Sequence, residues 1–297
     1  MGKKIAFLVA VERYADAKRW NPVDYAEADA NEMSVALDAL GFPSAEQTVL
    51  LTAKATKTTI ESRLRRVVNG LQDDDELLFY YAGHGFSEVN RNYLTCHDSE
   101  AFDLVKTSIP LQEVLDLVHS SKSRRVTLLL DCCHSGPFLR EKDRGMIQEM
   151  SDDQLREFFR DSEYHACFSA CKTDEKSYPS RSLRHGIWTY HVLEALQGNA
   201  PEAIERAGLV TASSLQNYLA RQVPLSVRKA ITGRVTQTPI LYGRITKEFV
   251  VADVGPILAA RRAAAMADLR TLKRVAFGKE TSLRVKSLSG FKKWHRV

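Results

Sequence analysis

Short apolar runs alternate with stretches of helical apolar spacing along the first 243 residues. The apolar runs have the length of buried strands and occupy residues 5–11, 48–53, 76–82, 92–96, 126–131, 164–171 and 238–243. Apolar residues recur at three- or four-residue intervals, as in amphipathic helices, at 24–40, 56–71, 109–121, 185–198 and 211–223. This alternation predicts an α/β fold whose mostly parallel sheet carries helices on both faces.

Three of the predicted strands end in groups that can do chemistry. The segments are "YYAGHG", which contains His84, "LLLDCCHSG", which contains Cys133, and "FSACKTDE", which contains Asp174. In a parallel sheet the carboxyl ends of the strands share one edge, and binding sites lie just outside that edge. We therefore expect the three segments to meet in one site.

The adjacent thiols Cys132 and Cys133 allow more than one hypothesis. A cysteine attacks as a thiolate, which requires a base within hydrogen-bond reach. His84, between two glycines, lies 49 residues before Cys133, close to the caspase spacing of about 50 residues. The alternatives are a buried pair of structural thiols or half of a metal site. Cys132, Cys133 and His134 are too close in sequence for an ordinary zinc site.

Together, the two motifs resemble those of the caspase-type cysteine peptidases. They are most similar to the metacaspases and bacterial caspase-like peptidases, whose nucleophile motif is Asp-x-Cys-His-Ser-Gly. The resemblance extends from about Lys4 to Gly243 through "YAEADANEM", "HGIWTYHVLEAL" and "TQTPILYG". It implies a cysteine-type endopeptidase with a caspase-like three-layer sandwich and a mostly parallel six-stranded sheet.

The resemblance also implies a Cys–His dyad. The third position of the motif makes Cys133 the nucleophile and His84 its general acid and base. The backbone N–H groups of Gly85 and Cys133 would form the oxyanion hole. Because side chains alternate between the two faces of a strand, Cys132 points away from Cys133 and has packing as its default role.

The acids near the dyad predict the substrate preference. Caspases that cut after Asp carry a Gln two positions before the cysteine, whereas this chain has Asp131 there. The resemblance to metacaspases implies that Asp29, Asp131 and Asp174 line S1, the pocket for the residue (P1) before the cleaved bond. Three carboxylates favour a basic P1 residue, and Arg most of all through bidentate contacts. The alternative is that Asp29 and Asp174 are ordinary surface acids.

The sequence departs from the metacaspase pattern at two points. Ala82 precedes Gly-His-Gly where metacaspases often have a serine, so a pocket hydroxyl is missing. Calcium-dependent metacaspases carry a cluster of acids, of which this chain keeps Asp98. Because Ca²⁺ needs several oxygen ligands, we expect no calcium requirement, no metal and no other cofactor.

We predict a caspase-like peptidase domain over residues 1–243 and a basic C-terminal extension of unknown role over 244–297. The domain would comprise a large-subunit-like part (1–136), a linker (about 137–163) and a small-subunit-like part (164–243). The linker contains basic residues after which such an enzyme would cut, so self-cleavage is a hypothesis; they are Arg140, Lys142 and Arg144.

Charge is distributed unevenly along the chain. Residues 244–297 hold 13 Lys and Arg against four acids, while the preceding residues carry a net charge of −4. A basic segment can bind nucleic acid or an anionic surface. This segment lacks the interleaved aromatic residues of single-strand binders, which argues against a nucleic-acid-binding protein. The other alternative, a catalytically silent scaffold, conflicts with the presence of both dyad residues.

A free protease is toxic to its cell, so a gate is expected. Bacterial caspase-like peptidases often accompany immune sensors, and the resemblance implies a gated effector in bacterial antiviral defence or cell death. Its substrates would be proteins or peptides with a basic P1 residue. The gate would be an activating ligand, such as a signalling nucleotide, or a sensor partner. The sequence leaves the oligomeric state open.

The cellular location is predicted from the chain's start and its cysteines. "MGKKIAFLVAVERY" contains an apolar run of about seven residues, too short for a secretory signal or a membrane span. Five cysteines in 297 residues do not make a disulfide framework. We therefore expect a cytoplasmic protein that does not enter a membrane.

The remaining candidates have structural roles by default. Tyr178 either forms an aromatic wall of the substrate groove or belongs to a plain linker, and Trp188 is predicted to lie in the core. The histidines expected to be solvated or hydrogen-bonded rather than catalytic are His97, His119, His165, His185 and His191. The cysteines expected to be either small buried apolar residues or reactive bystanders are Cys96, Cys167 and Cys171.

Overall fold

The computed structural model describes residues 2–89, 91–123, 125–133, 156, 165–172, 175–243 and 249–291. For Cys133 and residues 274–291 it describes the backbone alone. The predicted linker, with the hypothetical cleavage sites Arg140, Lys142 and Arg144, lies outside the described residues apart from Arg156, and so does Asp174. The chain divides into two compact units, Met1–Val254 and Gly255–Val297.

A central sheet of six strands organises the first unit. The strands are β1 (Lys4–Ala10), β2 (Gln47–Leu51), β3 (Glu76–Glu88), β6 (Arg125–Cys133), β7 (His165–Ser169) and β11 (Ile240–Tyr242). Their order is β11-β7-β6-β3-β1-β2, and only β11 runs antiparallel to its neighbour. The hairpin strands β4 (Arg91–Leu94) and β5 (Ile109–Pro110) extend the sheet beyond β3. The predicted α/β class with a mostly parallel six-stranded sheet is confirmed.

Helices cover both faces of this sheet. Helices α2 (Lys57–Gly70) and α4 (Leu111–His119) pack on one face through an apolar cluster that includes Leu64, Val114, Phe79 and Leu128. Helix α5 (Ile187–Leu196) packs on both α1 (Ala26–Ala39) and α6 (Ala212–Ala230), and α1 packs on the sheet. Burial on both faces explains why the strands are continuous apolar runs.

Shorter helices, strands and turns connect these elements. They are helix α3 (Leu104–Thr107), strands β8 (Pro179–Ser180), β9 (His185–Gly186), β10 (Leu209–Thr211) and β12 (Val250–Asp253), and 3₁₀ turns at Ser44–Glu46, Thr52–Lys54, Pro201–Ala203 and Arg206–Gly208. Strand β12 pairs with β10, so the first compact unit continues past residue 243. The second unit contains α7 (Gly255–Phe291). Within the described residues, no helix combines the length and the apolarity needed to cross a bilayer.

Two differences from the predicted elements bear on the candidate site. Strand β3 was expected to break at Gly83 but continues to Glu88, because its second half forms an antiparallel ladder with β4. Helix α5 was expected from residue 185 but begins at Ile187. His185 and Gly186 instead form β9, which pairs with β8. Both differences place a residue at the candidate site.

Candidate active site

The two predicted dyad residues are register partners in the sheet. Strands β3 and β6 run parallel side by side, and His84 lies opposite Cys133. Neighbouring strands are about 4.8 Å apart. His84 and Cys133 are therefore close in space, although they are 49 residues apart in the sequence. Two positions earlier, Ala82 lies opposite Asp131. The predicted dyad and one predicted S1 acid therefore share the carboxyl edge of the sheet.

The backbone of His84 is held on both sides. Its N–H donates to the Tyr14 hydroxyl at 3.0 Å, and its carbonyl accepts from the Thr95 hydroxyl at 2.8 Å and the Thr95 N–H at 3.1 Å. The Tyr81 hydroxyl also lies 2.9 Å from this carbonyl. To reach it, the Tyr81 ring passes Gly83, where an added Cβ would lie 2.4 Å from the phenol oxygen. Position 83 therefore requires a glycine, because any side chain there would clash with the Tyr81 ring.

The imidazole of His84 is oriented by the segment between β1 and α1. Its ring stacks on Tyr14 and Trp20, with centroids 5.2 and 5.6 Å away. Its Nε2 lies 2.8 Å from the Asn21 carbonyl oxygen. Because a carbonyl only accepts hydrogen bonds, Nε2 carries the hydrogen, and in the neutral ring Nδ1 is then the acceptor. The arrangement selects the tautomer that can remove a proton at Nδ1.

Burial also fixes the charge of His84. Desolvation lowers its pKa to about 4, and the hydrogen bond to Asn21 opposes this shift only in part. The imidazole is therefore neutral at pH 7, as a general base must be. Tyr14, Trp20 and Asn21 were not among the site residues predicted from the sequence. Their only signal was a position after the tip of β1, because the segment has no apolar periodicity.

A cavity of about 130 Å³ lies beside His84. Its walls include two of the predicted S1 acids, the predicted aromatic residue and the site of the missing serine: Asp29, Asp131, Tyr178 and Ala82. Asp24, which the sequence analysis did not single out, also lines it. No Lys or Arg is found among the described residues that line this cavity. Its charge is thus suited to a cation.

Asp131 is buried and held from helix α5. Its side chain is 6% exposed and accepts a hydrogen bond of 2.7 Å from the Thr189 hydroxyl, which lies 3.1 Å from the Tyr80 hydroxyl. Burial raises the pKa of Asp131, and the hydrogen bonds from Thr189 and Ser177 oppose that shift. These donors fix the carboxyl group in one orientation.

Asp29 is held by the β8–β9 hairpin. It is 3% exposed and accepts from His185 Nδ1 at 2.6 Å and from the Gly186 N–H at 3.0 Å. Burial raises the pKa of Asp29 to about 7, the bond from His185 lowers it, and nearby Asp131 raises it. The alternative of a surface acid is therefore wrong for Asp29.

The two carboxyl groups converge on Gly186. A Cβ added to this glycine would lie 3.0 Å from Oδ2 of Asp29 and 3.0 Å from Oδ2 of Asp131. The absence of a side chain leaves room between the two oxygens. This space at the cavity wall has the geometry for a group that donates hydrogen bonds to both acids.

The other thiols are buried structural residues, as predicted. Cys132 is 5% exposed and lies in the apolar cluster under α2 and α4. Burial raises the pKa values of Cys96 and Cys167 well above the ordinary thiol range.

Trp188 is fully buried in the core, also as predicted. In the part of the chain that the structure describes, no three His, Cys, Asp or Glu side chains are grouped so as to hold a metal ion.

Comparisons of sequence find similarity to a metacaspase and to a paracaspase. Metacaspase-3 from Arabidopsis thaliana is 27% identical over 202 residues, which are 59% of this chain and 55% of that protein. Paracaspase from Dictyostelium discoideum is 26% identical over 188 residues, 63% of this chain and 42% of that protein. The chain thus spans about half the length of these relatives.

Structure and family comparisons agree with these relatives. Caspase-1 from Spodoptera frugiperda matches with a TM-score of 0.58 and 14% identity, over 85% of this chain and 90% of that chain. At this identity the match concerns the fold alone. The family model of the caspase domain, Peptidase_C14, matches residues 3–250. The resemblance inferred from the two motifs is confirmed, and the chain belongs to the caspase domain family.

Proposed function

We propose that this protein is a cysteine endopeptidase that cleaves after Arg or Lys. Cys133 is the nucleophile and His84 the general acid and base, with Asp29, Asp131 and Asp174 as S1 acids. The observation that carries the proposal is the convergence of Asp29 and Asp131 on a cavity that His84 also lines.

The dyad would act in two half-reactions. His84 Nδ1 takes the proton from the Cys133 thiol, and the thiolate attacks the scissile carbonyl carbon. The backbone N–H groups of Gly85 and Cys133 stabilise the oxyanion that forms. His84 then returns the proton to the leaving amine, and water hydrolyses the thioester. The neutral His84 and its Nε2 bond to Asn21 support this assignment.

Electrostatics would decide the P1 preference. Two unit charges 4 Å apart interact by about 4 kcal/mol at an effective dielectric constant of about 20. A carboxylate such as Asp131 would therefore attract an Arg or Lys side chain and repel an Asp by amounts that correspond to large rate differences. The lining acid Asp24 adds to this field.

A panel of fluorogenic peptides tests the proposal. Peptides that differ only in P1, as Arg, Lys or Asp, are incubated with the full chain and with Cys133→Ala. We expect cleavage of the Arg and Lys peptides by the wild type and none by the variant. The Asp peptide should remain intact, because its carboxylate would enter a negatively charged pocket.

Each other outcome of the panel has a definite meaning. Cleavage of the Asp peptide alone would contradict the pocket assignment. Equal cleavage by Cys133→Ala would contradict the dyad. If no peptide is cleaved although iodoacetamide alkylates Cys133, the isolated chain is either a silent scaffold or lacks its activator.

Calcium independence is a separate prediction. Asp98, which remains from the acidic cluster of calcium-dependent metacaspases, accepts the Lys57 N–H at 2.8 Å at the start of α2. A carboxylate committed to a helix N-terminus satisfies an otherwise open donor. We expect kcat/KM for the arginyl peptide to be unchanged in excess EGTA. Loss of activity in EGTA with recovery on adding Ca²⁺ would contradict this.

We also infer that the enzyme is a gated effector of a bacterial immune or cell-death pathway, located in the cytoplasm. Helix α7 supports a gate, because Met266, Leu269 and Leu272 expose apolar side chains that a sensor partner can cover. A signalling nucleotide that binds the basic extension is the other form of gate. The inference fails if expression of the wild type in bacteria under phage challenge is indistinguishable from expression of Cys133→Ala.

A further inference from the structure

His185 lies between two carboxylates of helix α1. Its Nδ1 is 2.6 Å from Asp29 Oδ1, and its Nε2 is 3.2 Å from Glu32 Oε2. Asp29 and Glu32 are three positions apart, so they lie on the same face of the helix. The ring reaches them because residues 185 and 186 form β9 rather than the first turn of α5.

When Asp29 and Glu32 are both ionised, this geometry requires a proton on each ring nitrogen. A neutral imidazole has one N–H and one acceptor nitrogen, while a carboxylate only accepts. One of the two contacts would then set a lone pair against a carboxylate oxygen. Both contacts become hydrogen bonds in the imidazolium form, which donates from both nitrogens.

The groups that face His185 are mostly negative. Helix α1 contributes Asp29 and Glu32, and β6 contributes Asp131 across Gly186. From helix α5, the Tyr190 ring lies 6.2 Å away, and Glu194 interacts with Tyr190. In its own hairpin, exposed Arg184 is adjacent in sequence. The hydrogen bond with Asp29 raises the pKa of His185, and burial opposes this shift.

We propose that protonated His185 is an internal cation of the S1 pocket. It pairs with Asp29 until a basic P1 side chain competes for that carboxylate. In the free enzyme the imidazolium pairs with Asp29 and leaves Asp131 as the uncompensated acid. When a guanidinium or ammonium group enters between Asp29 and Asp131, it weakens the ion pair between Asp29 and the imidazolium. The proton of His185 is then released to solvent more readily. His185 is thus a specificity-setting residue that touches the S1 acid, and the proposal rests on S1 being a site for basic side chains.

Linkage gives the sign of the effect. A cation that binds near His185 lowers the pKa of the imidazole, and by reciprocity the protonated imidazole weakens the binding of that cation by the same factor. Below the pKa of His185, the imidazolium holds Asp29 and the pocket binds cations less tightly. Above this pKa the imidazole is neutral, and both Asp29 and Asp131 can pair with the ligand. Affinity for a basic side chain therefore rises with pH through the titration of His185.

An NMR titration of the full chain tests the proposal without requiring catalysis. The protein is labelled with isotopes in histidine, and the ring signals of His185 are assigned from their loss in His185→Gln. The midpoint is measured alone and with methylguanidinium, the end group of arginine. Methylurea serves as a neutral ligand of similar shape. We expect methylguanidinium, but not methylurea, to lower the proton affinity of His185 about tenfold, a coupling of about 1.4 kcal/mol.

Substitution of the partner provides a second arm. Asp29→Asn should lower the His185 midpoint towards that of an exposed histidine, while the control Glu113→Gln on α4 should leave it unchanged. A midpoint that is the same in Asp29→Asn, or the same with and without methylguanidinium, would overturn the proposal. Failure of the proposed function gives a different result: arginyl and lysyl peptides then stay intact, whether or not the His185 midpoint shifts.

Discussion

Replacing His84 by alanine is expected to lower kcat for an arginyl peptide by about a thousandfold, within the range measured for general acid–base residues. In the proposed mechanism the neutral imidazole removes the thiol proton at Nδ1, while Nε2 is held by the Asn21 carbonyl 2.8 Å away. Without this base the thiol of Cys133 attacks only through its small thiolate fraction at pH 7. Steady-state kinetics on the panel peptide measure the effect, and the rate of alkylation of Cys133 by iodoacetamide should fall in parallel.

His97→Ala is the matched control for this variant. His97 is half-buried, and its Nδ1 lies 2.8 Å from the Arg13 carbonyl, so its ring makes a carbonyl contact like that of His84. This variant should keep wild-type kcat and thermal stability. The dyad assignment would be wrong if His84→Ala, folded by circular dichroism, kept a kcat close to that of His97→Ala.

The proximity of His84 and Cys133 could be predicted from sequence because two local patterns determine it. Apolar runs identify β3 and β6, and a parallel sheet brings their carboxyl ends to one edge. His84 and Cys133 need only be near those ends to meet. Tyr14, Trp20 and Asn21 could not be predicted in this way. They lie on an aperiodic segment whose contacts with His84 form only when the chain closes over the sheet.

The pocket was predictable in part, for a similar reason. Asp131 follows from its position two residues before Cys133. The β8–β9 ladder and the resulting contact of His185 with Asp29 depend on pairing across a turn at residues 181–184. Local apolar spacing instead favours a helix there, since the pattern of α5 extends back to residue 185. A two-residue ladder leaves no periodicity to detect.

Replacing Gly186 by alanine is expected to lower kcat/KM for arginyl and lysyl peptides about 100-fold. Each charge-assisted hydrogen bond to a buried acid contributes about 1.5–3 kcal/mol, and the new methyl group stands where a P1 cation would make two of them. Its carbon would lie 3.0 Å from an oxygen of Asp29 and 3.0 Å from an oxygen of Asp131. Gly186 has φ −59° and ψ 133°, which alanine adopts without strain. The loss should therefore arise from the blocked space and not from the backbone.

Gly70→Ala and thiol alkylation separate this effect from general damage. A Cβ at Gly70, the last residue of α2, meets nothing within 4 Å, so this variant should keep wild-type kcat/KM. Iodoacetamide carries no P1 side chain and should alkylate Cys133 in Gly186→Ala at the wild-type rate, because His84 is untouched. If Gly186→Ala cleaves arginyl peptides normally, the space between Asp29 and Asp131 is not where P1 binds. If alkylation slows together with cleavage, the methyl group has disturbed the dyad, and the loss of cleavage does not arise from the blocked space.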